Sequence, residues 1–146
     1  MAKVIEIGVC KSKGDKISSL DQVNAIKGKG LLNDRNFKEN NHQKTQVTLI
    51  EIENINYYNE ISKTNISPID FRRNIITEGI KLNDLLGKEF FIGSIKVKCH
   101  DLCRPCNYLQ KKLGQKNLVK ELIDKAGLRC EILSSGKISV GDIIKN

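Results

Sequence analysis

FRRNIITEGIKLNDLLGKEFFIGSIKVK, Phe71 to Lys98, decides the fold. Its first part, Phe71 to Gly79, reads as extended chain: the β-rich run Ile75, Ile76, Thr77 is closed by Gly79. Its second part reads as a β-hairpin. Lys88–Ile92 and Ile95–His100 are short apolar-polar segments, and Gly93-Ser94 between them is turn chemistry.

Working outward, the same punctuation recurs. Ala2 to Lys11 alternates in part through Val4, Ile5, Ile7 and Val9 and predicts a strand. Gln22–Ile26 predicts a short strand, and Lys27 to Lys44 a long Gly-, Asn- and Lys-rich loop of the kind that often carries function. Thr45–Ile52 is β-branched and runs into a helical spacing of Ile52, Ile55, Tyr58 and Ile61. Towards the C-terminus, Asn107–Leu113 and Leu118–Lys125 predict two short helices closed by Gly114 and Gly127. Leu128–Leu133 and Lys137–Val140 predict a second hairpin around Ser135-Gly136, and Ile143 and Ile144 a last apolar pair. About seven short strands and two or three small helices predict a mainly β protein. The expected architecture is a closed or partly open β-barrel, which removes sheet edges. A parallel dinucleotide-binding sheet is disfavoured, because strands and helices do not alternate and GKGLLND lacks the glycine fingerprint.

The chain has 146 residues, enough for one domain, 1–146, with a core that needs no disulfide staples. Hydrophobic content of 39% with 29% charged residues is globular, and no apolar run suits a membrane helix. The first residues read as a strand rather than a secretory leader, and five cysteines do not make a paired framework, so a reducing cytoplasm is expected. A net charge of +8 raises nucleic acid as a partner. The lysines are scattered, though, and only 5% of residues are aromatic, so neither nucleic acid nor a membrane is expected as partner. Arginine is rarer: Arg35, Arg72, Arg73, Arg104 and Arg129. Its planar fork suits phosphate, or carboxylates inside the fold, and the sequence leaves both readings open.

Chemistry concentrates in KCHDLCRPCNYLQ, Lys98–Gln110. Cys103 and Cys106 form half of a zinc site whose second half is missing, and Cys99 and His100, adjacent in a strand, face opposite ways. A thioredoxin-like role is disfavoured because Cys103-Arg104-Pro105-Cys106 follows a hairpin rather than a strand of a parallel sheet. Cys106 is the preferred acting thiol: it follows Pro105 at the start of a predicted helix, whose N-terminus favours an ionised sulfur, and Arg104 adds positive charge. Cys103 is a second thiol beside it. Cys10 and Cys99 read as small buried hydrophobes.

Four segments together resemble the MOSC domain, the module named for the C-terminal part of molybdenum cofactor sulfurase. GLLNDRNF resembles that family's Gly-Leu-x-x-Asp-Arg-His loop, with Asn33 and Asn36 as departures. QVTLIEIENI resembles the strand and helix start after it. Phe71–Lys98 is similar to the Arg-Arg-Asn-hydrophobic-x-Thr-Glu-Gly segment and its hairpin. DLCRPCNYLQKKLG and GLRCEILSSGKISVGD resemble the cysteine segment and closing strands. The resemblance implies a pyruvate kinase-type β-barrel and a functional cysteine at Cys106. It also implies a role in carrying sulfur or binding the molybdenum cofactor (molybdopterin). On that reading Arg35, Arg72, Arg73 and Arg104 supply charge for the cofactor's phosphate, and Asn74, Thr77 and Glu78 bond the pterin. Cys106 ligates molybdenum or holds a persulfide sulfur. The partner is a cysteine desulfurase, which brings any pyridoxal phosphate, or a cofactor-biosynthesis protein. The other reading is a metal- or cofactor-dependent enzyme acting on thiolated or N-hydroxylated small molecules.

Overall fold

The computed structural model describes residues 1–146. Eleven strands are formed: β1 Lys3–Val9, β2 Ser18–Leu20, β3 Gln22–Ile26, β4 Gly30–Leu31, β5 Val47–Glu51, β6 Ile75–Glu78, β7 Glu89–Ile92, β8 Ile95–Leu102, β9 Leu128–Ile132, β10 Gly136–Ser139 and β11 Ile144–Lys145. Three helices accompany them: α1 Ile52–Ser62, α2 Asn107–Lys112 and α3 Leu118–Glu121. Single 3-10 turns lie at Pro68–Phe71 and Leu82–Leu85.

Eight strands make one curled sheet in the order β11-β7-β8-β9-β5-β6-β1-β2, and β10-β3-β4 make a smaller one. The curl meets itself at the C-terminal segment. Val4 N–H donates to Asp142 O at 2.9 Å, Gly141 N–H to Val4 O at 2.8 Å and Ile144 N–H to Ala2 O at 2.9 Å. These bonds join β1 to the chain beside β11, so the mainly β barrel expected from the sequence is what forms.

All pairings are antiparallel except β5 with β6, which run parallel with α1 in the connection between them. These two strands are covered on both faces, which explains their unbroken apolar runs. Leu49 and Ile75 point into the barrel core, a cluster of 21 buried residues. Their neighbours Ile50 and Ile76 point outward, where Ile55 and Tyr58 of α1, Leu109 of α2 and Leu118 of α3 cover them. The helices are therefore packed against the barrel wall.

The first predicted hairpin forms as read: β7 pairs with β8 and Ile92 faces Ile95 across Gly93-Ser94. The second does not. β9 is flanked by β5 and β8, so β10 crosses to the small sheet and pairs with β3. Ser134 Oγ accepts Lys96 N–H and Ser135 Oγ accepts Lys27 N–H, both at 2.8 Å, and steer the crossing. The long loop also holds β4 rather than being wholly irregular.

Candidate functional site

The 3-10 turn Pro68–Phe71 ends on Arg72, whose backbone is left-handed with φ 63°. A side chain pays roughly 1 kcal/mol or more for that conformation. It turns the chain sharply into β6 and sets Arg72 and Arg73 at the head of that strand. Arg72 Nη1 donates to Asp15 O at 3.0 Å and Nη2 to the Cys10 sulfur at 3.5 Å. Arg73 Nε donates to Ala126 O at 2.9 Å. Arg35, from the long loop, is exposed, and its own N–H is tied to Cys10 O at 2.6 Å.

These three arginines line one narrow cleft of about 70 Å³, together with Gly8, Cys10, Ile17, Asp34, Asn36, Thr48 and Asn74. None of the three has a carboxylate partner. The four acid–base contacts of the protein are Lys29–Glu39, Lys44–Asp101, Lys96–Glu89 and His100–Glu131. Asp34, the acid in the cleft, accepts Cys10 N–H at 3.0 Å on Oδ1 and Asn36 N–H at 3.3 Å on Oδ2. Its role is to fold the loop that delivers Arg35. The cleft therefore gathers three arginines against one acid, a net positive lining of the kind that suits an oxyanion.

Asn74 is the keystone under the cleft. Its Nδ2 donates to Gly8 O at 3.0 Å, and its Oδ1 accepts from Thr48 N–H at 3.1 Å and Thr48 Oγ at 3.2 Å. It stitches β1, β5 and the start of β6 together. Thr77 is fully buried and its hydroxyl donates to Ile50 O at 3.4 Å. Glu78 is exposed at the end of β6, and neither Thr77 nor Glu78 lines the cleft.

The cysteine segment reaches the cleft indirectly. Cys103 N–H donates to Gly127 O at 2.7 Å, while the preceding carbonyl, Ala126 O, holds Arg73. Two consecutive carbonyls thus tie Cys103 and Arg73 to one point of the backbone. Cys103 is buried. Burial pushes its thiol up from the ordinary range, and the Arg73 and Arg129 guanidiniums pull against that shift. Cys106 is the single exposed cysteine; it caps α2, and its sulfur accepts Leu109 N–H at 3.4 Å. It does not line the arginine cleft. Arg104 is exposed and borders a separate, more apolar groove of about 380 Å³ with Leu86, Leu102, Pro105, Val119 and Ile123.

Cys99 and Cys130 face each other across β8 and β9 in the core. The Cys130 thiol draws Cys99 below the ordinary thiol range, and burial pushes Cys130 well above it. His100 bonds Glu131 at 2.7 Å, so its imidazole is engaged on the neighbouring strand. No group of three or more His, Cys, Asp or Glu side chains is arranged to hold a metal ion.

A family model described as MOSC domain matches residues 18–145. The chain belongs to the MOSC domain family. No curated protein matches it in sequence. Among solved structures, YuaD from Bacillus subtilis superposes with a TM-score of 0.80 at 18% identity, covering 99% of this chain and 94% of that one. YiiM from Geobacillus stearothermophilus gives 0.78 at 19% identity over 99% and 74%. YiiM from Escherichia coli gives 0.69 at 17% identity over 97% and 69%. At such identities the likeness is one of fold.

MOSC domains are associated with sulfur handling and binding linked to the molybdenum cofactor. The lining of this MOSC domain's cleft suits an anionic group such as that cofactor's phosphate: three arginines outnumber the one carboxylate, Asp34, around a space of about 70 Å³. The sequence singled out Arg35, Arg72 and Arg73, and the fold brings all three together with Asn74. It passed over Asp34 and treated Cys10 as a plain core residue. Cys10 is buried, but its thiol also donates to Ser12 O at 2.8 Å and touches Arg72. Only the 62-residue separation closed by the fold reveals that contact.

Proposed function

We propose that this MOSC domain binds an anionic, phosphate-bearing ligand of the molybdenum cofactor type through Arg35, Arg72 and Arg73. Cys106 acts as its sulfur-bearing thiol. The observation that carries the reading is a cleft lined by three arginines against one carboxylate, Asp34, with none of the arginines in a direct ion pair. When bound, the cofactor would supply a metal dithiolene, for which a soft, exposed Cys106 sulfur is a fitting ligand. Arg35, Arg72 and Arg73 would hold its phosphate, and Asn74 would keep the floor of the cleft rigid.

As a sulfur carrier, Cys106 attacks the outer sulfur of a persulfide on a donor cysteine. The new S–S bond forms at Cys106, the donor leaves as its thiolate, and the Cys106 proton passes to solvent. No electrons are gained or lost overall. The donor's class is a cysteine desulfurase, and the pyridoxal phosphate belongs to it; a cofactor-biosynthesis protein is the fitting acceptor. A cytoplasmic setting suits five cysteines that are all free thiols. No helix is long and apolar enough to cross a membrane. Incubation with a cysteine desulfurase and cysteine, followed by intact mass, tests the thiol. Wild type gains one sulfur atom, and Cys106→Ser gains none. Equal gain in both would remove Cys106 from the role.

The apolar groove beside Leu102–Pro105 favours a second reading, a cofactor-dependent enzyme on thiolated or N-hydroxylated small molecules. Turnover of an N-hydroxylated small molecule by the cofactor-loaded protein separates the two, because a carrier or cofactor-binding domain has no such activity.

A further inference from the structure

Arg72 borders two depressions, not one. On one side is the narrow cleft with Arg35 and Arg73. On the other is an open depression of about 440 Å³ lined by Gly14, Lys16, Ile17, Asp70, Arg72, Lys112 and Leu113. Arg72 and Ile17 are common to both. The open side carries three cations against the one acid, Asp70, and none of its cations is within an ion pair. Lys112 is steadied by Gly14 O at 3.4 Å and by the Tyr108 ring, whose centroid lies 5.9 Å from Nζ. Lys16 is exposed.

The donor count on Arg72 is decisive. A guanidinium carries five N–H groups. One at Nη1 is bound to Asp15 O and one at Nη2 to the Cys10 sulfur, which leaves three to serve anions. Both bonds fix the plane of the fork, so little rotamer entropy remains to be lost on binding. The narrow cleft is the smaller of the two spaces, and Arg72 leads from it to the open depression with Lys16 and Lys112.

We propose that Arg72 is shared by two adjoining anion subsites, so that the site takes a ligand with two phosphoryl groups in series, a diphosphate, rather than a monophosphate. This rests on the reading that the arginine cleft accepts a phosphoryl group. The inner phosphoryl group sits with Arg35, Arg72 and Arg73, and the outer one with Arg72, Lys16 and Lys112. A diphosphate-linked form of a pterin or nucleotide has that chemistry.

Isothermal titration at fixed ionic strength, in buffer free of phosphate, tests it with inorganic phosphate and inorganic pyrophosphate. Wild type binds pyrophosphate at least about tenfold more tightly than phosphate, the size of one added charge-assisted contact. The double variant Lys16→Gln with Lys112→Gln keeps wild-type phosphate affinity and loses that advantage. Both lysines are on the surface, so the variant is expected to fold; its melting temperature checks this. Arg35→Gln weakens both ligands alike. Equal affinity of wild type for the two anions overturns the second subsite and leaves the cleft reading intact. An advantage that survives loss of both lysines also overturns it, since the outer group would then sit elsewhere. Failure of wild type to bind either anion removes the cleft reading as well.

Discussion

At the scale of single residues, the five cysteines are unequal because their surroundings are. Cys106 is exposed, while Cys10, Cys99, Cys103 and Cys130 are buried. Iodoacetamide at neutral pH is expected to label the folded protein once, at Cys106, with the other four reacting only after denaturation; peptide mass spectrometry reads this directly. Arg73 is held by Ala126 O and faces both the cleft and Cys103. Arg73→Gln removes a charge-assisted partner, so phosphate affinity should fall about tenfold or more while the melting temperature changes little. Glu51 gives a pH signature. Burial raises its carboxyl above the ordinary value, opposed by the Leu82 N–H that it accepts at 3.0 Å. The folded state therefore holds this proton more tightly than the unfolded chain, and stability is lost as pH rises through the folded value. Glu51→Gln keeps the hydrogen-bond acceptor and should raise the urea midpoint near pH 7 while leaving it unchanged below the ordinary carboxylate range. A variant with unaltered pH dependence would show that Glu51 does not titrate this way.

At the scale of elements, the approach to β9 positions the site. Gly127 has φ 103°, and a Cβ there would stand 1.8 Å from Leu49 O on β5. Backbone meets backbone at that point, so no side-chain rotamer can relieve the clash. Gly127→Ala should cost more than about 3 kcal/mol by urea denaturation. It should also weaken anion binding in whatever fraction folds, because Ala126 and Gly127 carry the carbonyls that hold Arg73 and Cys103. The second hairpin shows how local signals mislead at this scale. Ser135-Gly136 has turn chemistry, but turn chemistry does not name a strand's partner. Both edges of β9 are taken by β5 and β8, so β10 can pair only elsewhere. Strands of two or three residues, such as β2, β4 and β11, are too short to show a period, which is why eleven strands form where about seven were expected.

At the scale of the whole molecule, closure of the barrel depends on the C-terminal segment. Gly141 and Asp142 exchange backbone bonds with Val4 of β1, Ile144 N–H donates to Ala2 O just before it, and Ile144 is buried in the main core. Deleting Gly141–Asn146 would reopen the sheet, expose two edges and remove a core side chain. Much of a typical domain stability of about 5–15 kcal/mol should be lost, visible as a broadened or absent thermal transition. A deletion variant that melts like the full chain would mean that closure is not what stabilises this barrel.

The sequence by itself determined the mainly β class, the Gly93-Ser94 hairpin, the helical spacing of Ile52, Ile55, Tyr58 and Ile61, and the scarce arginines as candidate anion ligands. Each of these is written in local patterns: alternation, turn residues, helical spacing and the choice of arginine in a lysine-rich chain. Tertiary structure alone decided that Cys10 touches Arg72, that Asn74 spends its side chain on Gly8 and Thr48, and that Cys106 stands outside the cleft. Those facts depend on contacts between residues dozens of positions apart. Hydrogen bonds of that kind are fixed by which strand edges remain free after the barrel closes, and no local pattern carries that information.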